Sequence, residues 1–455
     1  MGVATRVVQA MVVLGAAAGA LLLASRYWPA STLEKQARAA LEAPRDWPGT
    51  NAWADLALLS RQDLDADGRQ AEVAAHVAAY TLWQAQRLER IAAQAGRTPE
   101  ALDLPAAPVL RTAPRPPLPD GLDACGQGRP AACLDQVRAR QAEVAGWVAG
   151  HQWLYARLAG LARHGHLASP YPQPHAGMVI PDLGVSAYGR VAQALAHLQG
   201  DRTGAVDAVC RDLRTARMLA GHSDMLVGAM VGAQQLVDGG RWLATLLADW
   251  PPDEPLPASC TAVATPLDVE QTSLCAAFAG EHALGQAAVA EARAMMGQRW
   301  LAGWFLDVDK SGDRSAANLG RSCLAPARAA IAADEPVVLD PAEVPSPWHI
   351  RCLSNATGCI LFSIATPVYR DYVLRMQDAA ASQRLLGAWL WLREQPVGTD
   401  LAATLAQVPA AYRSQARPLR PSADGRALEV ARYHDRQGEG TLQLPLPAAW
   451  APPTP

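Results

Sequence analysis

The stretch Leu134-Asp-Gln-Val137-Arg-Ala-Arg-Gln-Ala-Glu-Val144-Ala-Gly-Trp147-Val148-Ala-Gly-His-Gln-Trp153-Leu154-Tyr-Ala-Arg-Leu158-Ala-Gly-Leu161-Ala-Arg163 decides the fold class. Val137, Val144, Val148, Leu154, Leu158 and Leu161 recur at helical spacing, so they form a stripe along one face of a predicted helix over 134–163. The same periodicity extends outward. Upstream, Ala54, Leu56, Leu58 and Leu59, then Val73, Ala74, Val77, Ala78 and Leu82, predict helices within 31–95. Downstream, 185–198 and 205–219 predict a helical hairpin turning at Gly200 and Asp201, followed by helices over 225–247, 269–296 and 369–394.

Between these runs lie proline-rich breaks. Pro105, Pro108, Pro114, Pro116, Pro117 and Pro119 predict an extended connector and a domain boundary; the loop 164–182 and the stretch 251–257 interrupt the helices again. The turn at Gly200 looks like one tetratricopeptide unit, but no second copy follows at a period of about 34, and such stacks need about three repeats. Beyond Pro409 the pattern alternates, predicting short strands over 427–433 and 441–444 around Gly438-Glu439-Gly440. Trp147, Trp153, Trp242, Trp300, Trp304, Trp389 and Trp391 fall in or beside apolar helix runs, where core packing explains them more simply than a sugar-binding surface.

At the amino terminus, residues 7–24 carry no charge and one polar side chain, Gln9, and are followed by Arg26, Tyr27 and Trp28. Such a run at about 1.5 Å rise per residue just spans a bilayer core, with the aromatic pair suited to the interface. An uncleaved anchor is preferred to a cleaved signal peptide, because no convincing small-x-small site follows the run. Gly15 and Gly19 form a GxxxG within it, a spacing that chance explains in a segment so rich in Ala and Gly. The expected location is the inner membrane, single-pass, with the body in the periplasm.

Eight cysteines lie beyond this run, none in CxxC. They allow 105 connectivities. Short separations favour Cys125 with Cys133 and Cys352 with Cys359; sequence order alone pairs Cys210 with Cys260 and Cys275 with Cys323. Export favours disulfides over buried free thiols.

The reading is therefore a mainly α protein with an N-terminal transmembrane helix, a multi-helix body and a small C-terminal β-hairpin. Its divisions are 1–30 (anchor or signal), 31–104 (helical segment), 105–121 (connector), 122–408 (main helical domain) and 409–455 (hairpin and tail). Half of the 455 residues are apolar and the formal charge is −3, which excludes a disordered chain and gives no electrostatic footprint for nucleic acid.

Chemistry-bearing motifs are sparse. Asp63-Leu-Asp65-Ala-Asp67-Gly68 matches the first half of a calcium-binding EF-hand loop, but the twelfth position is Ala74 instead of the bidentate Glu; an Asp-rich turn capping a helix that starts near Arg69 is the preferred reading. Asp307-Val-Asp309-Lys-Ser311-Gly312-Asp313, with Asn318 twelfth, is a poorer copy. No cofactor is expected; calcium is the one cation these loops would take. His164 and His166 form a lone HxH, read as solvated loop, with His175 as a further nitrogen donor nearby. His222-Ser223-Asp224 reads as a helix N-cap, since adjacent residues do not build a triad. Glu281, His282 and Glu291 are the nearest acid–base set, and a solvated helix face explains them equally well. Elbow, phosphate-loop and HExxH motifs are absent from the sequence.

The segment Cys352-Leu-Ser-Asn355-Ala-Thr-Gly358-Cys359-Ile-Leu-Phe-Ser-Ile364-Ala, with Tyr369 and Arg370 after it, resembles a pattern in uncharacterised envelope proteins of Gram-negative bacteria, and Asn51-Ala-Trp53-Ala-Asp-Leu56-Ala-Leu-Leu59 is similar to their amino-terminal part. That resemblance implies an envelope location and no activity. The chain's end resembles the helix-plus-sheet of pseudopilin-like proteins, without their Asp-Pro before the sheet. The expected function is binding or organising an envelope protein; the alternative is a periplasmic hydrolase with a site around 164–175 or a calcium loop.

Overall fold

A computed structural model describes residues 2–94, 103–172, 177–248, 250–251, 254–296, 305–339, 346, 348–396, 400–436 and 438–451. The predicted core residues Trp300 and Trp304 and the loop residue His175 lie outside them. The protein is mainly helical, with a small antiparallel sheet near the carboxyl terminus.

Helix α1, Gly2–Arg26, is long and apolar enough to cross a membrane, and it projects from the body. A capping box then starts α2, Thr32–Glu42: the Glu34 amide donates to Ser31 Oγ at 3.2 Å and the Ser31 amide to Glu34 Oε2 at 2.6 Å. After α3, Trp53–Ala57, comes α4, Ala66–Ala93, capped by Asp65. The proline-rich 105–121 then runs as a strap that accepts hydrogen bonds from helices on both sides of it in sequence: Trp83 Nε1 donates to the Pro105 carbonyl at 2.9 Å, and Trp147 Nε1 to the Pro117 carbonyl at 3.0 Å.

The predicted single helix over 134–163 is three helices within the described residues: α6 Pro130–Ala139, α7 Gln141–Gly150 and α8 Gln152–Leu161, preceded by the short α5 Asp123–Gly126. At the joints Arg140 and His151 have φ −127° and −120°, and their amides bond three residues back, to Val137 and Val148, instead of four. His151 Nδ1 meanwhile lies 2.7 Å from the Trp147 carbonyl that a regular helix would bond to its amide. These tight steps turn the apolar stripe. Val137 and Val144 enter one hydrophobic core, whereas Leu154, Leu158 and Leu161 enter a second.

The first core is centred on α9 Ser186–Leu198, α10 Arg202–Gly221, α11 Leu226–Leu246 and the long later helix described below, with Trp242 and Trp389 fully enclosed. Gly200 makes the α9–α10 turn at φ +91°, a left-handed conformation that glycine adopts without strain. The second core gathers Trp53, Tyr80, Leu154, Leu158 and Tyr171.

The predicted helix over 269–296 is split into α12 Val269–Thr272 and α13 Cys275–Met296 by Leu274, whose φ of +59° ends one helix and redirects the next. Helices α14 Val308–Leu319 and α15 Ala325–Ala332 follow. Helix α16, Ala356–Arg393, begins thirteen residues before the predicted start at 369, because the disulfide-bearing segment is already helical. After α17, Leu401–Leu405, the sheet has order β1-β2-β3, with β1 Arg420–Pro421, β2 Ala427–Arg436 and β3 Glu439–Pro445. The predicted hairpin is β2–β3; the two-residue β1 is too short for a periodicity to show.

All four disulfides follow the expected pairing: Cys125–Cys133, Cys210–Cys260, Cys275–Cys323 and Cys352–Cys359, with Cα separations of 4.7, 5.0, 5.4 and 6.0 Å.

Candidate functional site

The histidine loop is brought into the body by backbone pairing. Isolated bridges join Asn51 to His166 and Leu167 to Ser223, so three chain segments meet there. Gly165 permits the approach, since a Cβ at that position would overlap the Pro48 carbonyl. His164 and His166 are consequently buried, correcting the expectation of a solvated HxH.

His164 Nε2 lies 2.7 Å from Asp55 Oδ2, and its Nδ1 lies 2.8 Å from the Oγ1 of exposed Thr50. Asp55 is buried, and it also accepts from Arg69 at 2.7 Å and Arg163 at 2.8 Å. Burial works against its charge, but hydrogen bonds from His164 and Arg69 and the Arg69 charge outweigh this and hold the carboxyl well below the usual carboxylate range. The result is a hydroxyl–imidazole–carboxylate chain of the kind that fixes a histidine tautomer and lets the ring take a proton from the hydroxyl. The Gly165 and His166 amides, 3.0 and 3.4 Å from the Thr50 carbonyl, are occupied there and do not serve as oxyanion donors to its side chain.

His166 stacks on Trp47 with ring centroids 5.3 Å apart, and its Nδ1 lies 2.9 Å from the Pro48 carbonyl. In the third segment, Ser223 Oγ accepts the Met225 amide at 3.1 Å, but Met225 is itself the N-cap of α11 and no side chain caps the helix. The expected cap is therefore displaced by one position outward, because Asp224 is turned away to accept the Ser169 amide at 2.8 Å. Burial raises the Asp224 carboxyl to about 6 despite that hydrogen bond.

The Asp-rich turns are engaged separately. Asp63 forms a two-pronged pair with Arg61 at 2.8 and 2.6 Å, Asp65 accepts the Gly68 amide at 2.7 Å as the cap of α4, and Asp67 is exposed in the first turn. In the second copy, Asp307 caps α14, Asp313 pairs with Arg38 at 3.0 Å, and Asn318 donates to the Phe362 carbonyl at 2.8 Å, so the segment is a helix. Among the described residues no group of three or more His, Cys, Asp or Glu is gathered as a metal ion would require. Glu281, His282 and Glu291 do not converge and are not solvated: burial raises Glu281, His282 is enclosed with Nδ1 3.1 Å from Ser315 Oγ, and Glu291 pairs with Arg87 at 2.5 Å.

Of the concave surfaces elsewhere, two carry charged walls. A cleft of about 780 Å³ has Asp268, Glu335, Arg384 and Arg413 in its walls. Beneath it Asp334 and Asp378 hold the buried guanidinium of Arg417, which also sits 3.9 Å over the Tyr433 ring. A second groove, of about 470 Å³, carries Arg241, Arg375, Arg432 and His434 beside Asp238 and Asp378. Neither surface has a local sequence signature, since its residues come from helices and strands far apart in the chain.

At the end of α1, Ser25 Oγ donates to Ser354 Oγ at 3.1 Å and accepts the Ser354 amide at 2.9 Å. Lys310 Nζ donates to the Ser25 carbonyl, placing a cation at the carboxyl end of α1. Arg351 donates to the Pro29 carbonyl at 3.0 Å and pairs with Glu34 at 2.5 Å. Comparison of the chain with protein-family models, with curated proteins and with solved structures finds no match.

Proposed function

We propose that the protein is a single-pass inner-membrane protein, held by residues 7–24, whose disulfide-bonded body lies in the periplasm and binds or organises another envelope component. The observation that carries this reading is the joint at Ser25. A signal peptide destined for removal has no need of a fitted partner, yet the end of α1 shares two hydrogen bonds with Ser354 and a cationic cap from Lys310. The helix before it is apolar and exposed, as a bilayer-embedded helix is when no lipid surrounds it. Four disulfides fit an oxidising compartment, and the cleft and the arginine-lined groove offer concave polar surfaces for a partner.

The test is fractionation followed by crosslinking in intact cells. The full-length mass, resistance to carbonate extraction, eight cysteines protected until reduction and a crosslinked envelope partner are the expected results. Free thiols or release into the soluble fraction would remove the compartment and anchor; absence of any crosslinked envelope protein would remove the binding role.

A second reading, a hydrolase, is favoured specifically by the Thr50–His164–Asp55 chain. It requires turnover on an ester or peptide substrate panel that Thr50→Ala and His164→Ala both abolish while leaving the disulfides intact; turnover unchanged in both variants would end it.

A further inference from the structure

The segment of the body that holds the end of α1, and the helix that follows it, carry exposed large apolar side chains. Trp348, Leu353, Ile360, Leu361 and Ile364 are 85, 38, 41, 51 and 71% exposed. Ile360, Leu361 and Ile364 share one side of the first turns of α16 by helical spacing. The opposite side is held by the body: Cys359 is buried, Ser363 Oγ accepts from Arg314 at 2.9 Å, and the Phe362 carbonyl accepts from Asn318. Large side chains clustered on an outer face in this way mark a contact surface.

The anchor identifies what covers it. Near the end of α1, Leu22 is half-buried and Ser25 buried, three residues apart on the side toward the segment Ile350–Asn355. From Leu22 to Ser25 the helix rises about 4.5 Å, so the body meets the last turn of the span. Leu353 belongs to that segment, and α16 follows it directly. Trp28 packs edge-on against His349, next to Trp348, with ring centroids 6.4 Å apart. Aromatic residues at the end of a span sit at the headgroup level. Lys310 and Arg351 stand beside the same joint.

We infer that this face is a second membrane contact, in which Trp348, Leu353 and the first turns of α16 insert into the leaflet from which α1 emerges and fix the body against the bilayer. The inference rests on α1 being a retained anchor. Its occupant is lipid, and the contact is interfacial, because the other side of the same helix is packed against the body.

The experiment uses the full-length chain reconstituted in phosphatidylethanolamine/phosphatidylglycerol vesicles containing a phospholipid with a diazirine on the first acyl-chain carbons below its headgroup. After irradiation, adducts are mapped by mass spectrometry of the reduced, digested protein. Adducts on 5–26 and also on 348–364 are expected. Adducts confined to 5–26 would leave the anchor intact and overturn the inference, meaning that protein or water covers the face. Adducts on neither segment would overturn both. An Ile360→Asp/Ile364→Asp variant that retains four disulfides should lose the 348–364 adducts and keep those on 5–26; unchanged labelling at 348–364 would show that these side chains do not make the contact.

Discussion

Ser25 and Ser354 lie 329 positions apart in sequence and are joined by two buried hydrogen bonds, of 3.1 and 2.9 Å. The Ser25 hydroxyl donates to the Ser354 hydroxyl and accepts the Ser354 amide, while Lys310 donates to the Ser25 carbonyl. Replacing Lys310 by Met keeps the aliphatic stem and removes the charged donor. A hydrogen bond to a charged group contributes about 1.5–3 kcal/mol, so tryptic cleavage after Arg26 in detergent should accelerate by about one to two orders of magnitude. Cleavage at the wild-type rate would show that the cap does not hold the joint.

Asp224 gives a pH dependence with a definite sign. Its folded carboxyl is raised to about 6 by burial, partly opposed by the Ser169 amide and by the charges of His166 and Arg45. A raised carboxyl favours the folded state while protonated, below the ordinary value of 3.8, and loses that advantage as pH rises through about 6. Asp224→Asn should therefore stabilise the protein at pH 7.5 by on the order of 3 kcal/mol, and the gain should shrink steadily between pH 7 and pH 4. Denaturant melts of both proteins across that range check it.

Arg417 is 1% exposed and is shared by two carboxylates. Arg417→Met leaves Asp334 and Asp378 buried without their common partner, a loss of about 3–5 kcal/mol. The second ion pair of Asp334, with Arg384 at 2.5 Å, does not replace it, because Asp378 has none with Arg384. Equilibrium unfolding should show a lower midpoint; an unchanged midpoint would mean that water reaches the site.

The disulfides should rank by loop length. Cys210–Cys260 and Cys275–Cys323 close separations of 50 and 48 residues, against 8 and 7 for Cys125–Cys133 and Cys352–Cys359. Chain entropy assigns about 4 kcal/mol to each long loop and about 2.5 kcal/mol to each short one. Paired Cys→Ala variants, compared by denaturant midpoint, test the order.

A Cβ on Gly232 would come within 2.4 Å of the Ala220 amide nitrogen and 2.8 Å of the Ala216 carbonyl oxygen, both backbone atoms of the neighbouring α10. Gly232→Ala must separate α10 from α11 and should cost about 1–3 kcal/mol, although alanine is the better helix former. A variant as stable as wild type would show that the two helices slide freely.

What could be read from the sequence was local. The Gly200 turn depends on one residue and the two short disulfides close loops of fewer than ten, so each is visible in a narrow window. The longer pairings emerged from order, which carries no geometry. The Asp55 centre depends on a partner 109 residues away, and Arg417 on partners 83 and 39 away, distances at which periodicity says nothing. The histidine loop looked solvated because glycine and proline surround it; the overlooked signal was Gly165, which marks a close backbone approach as readily as a flexible turn. Leu274 has no signal, since nothing in a leucine announces a left-handed residue.

The two tight steps at Arg140 and His151 have a consequence for how the molecule comes apart. One continuous segment sends Val137 and Val144 into the first core and Leu154 and Leu158 into the second. Neither core can melt without dragging on the same three-helix rod, which acts as a mechanical crankshaft between them. Heat or denaturant should meet one cooperative unit where the chain, read as a string of helices, would promise a series of independently fraying pieces.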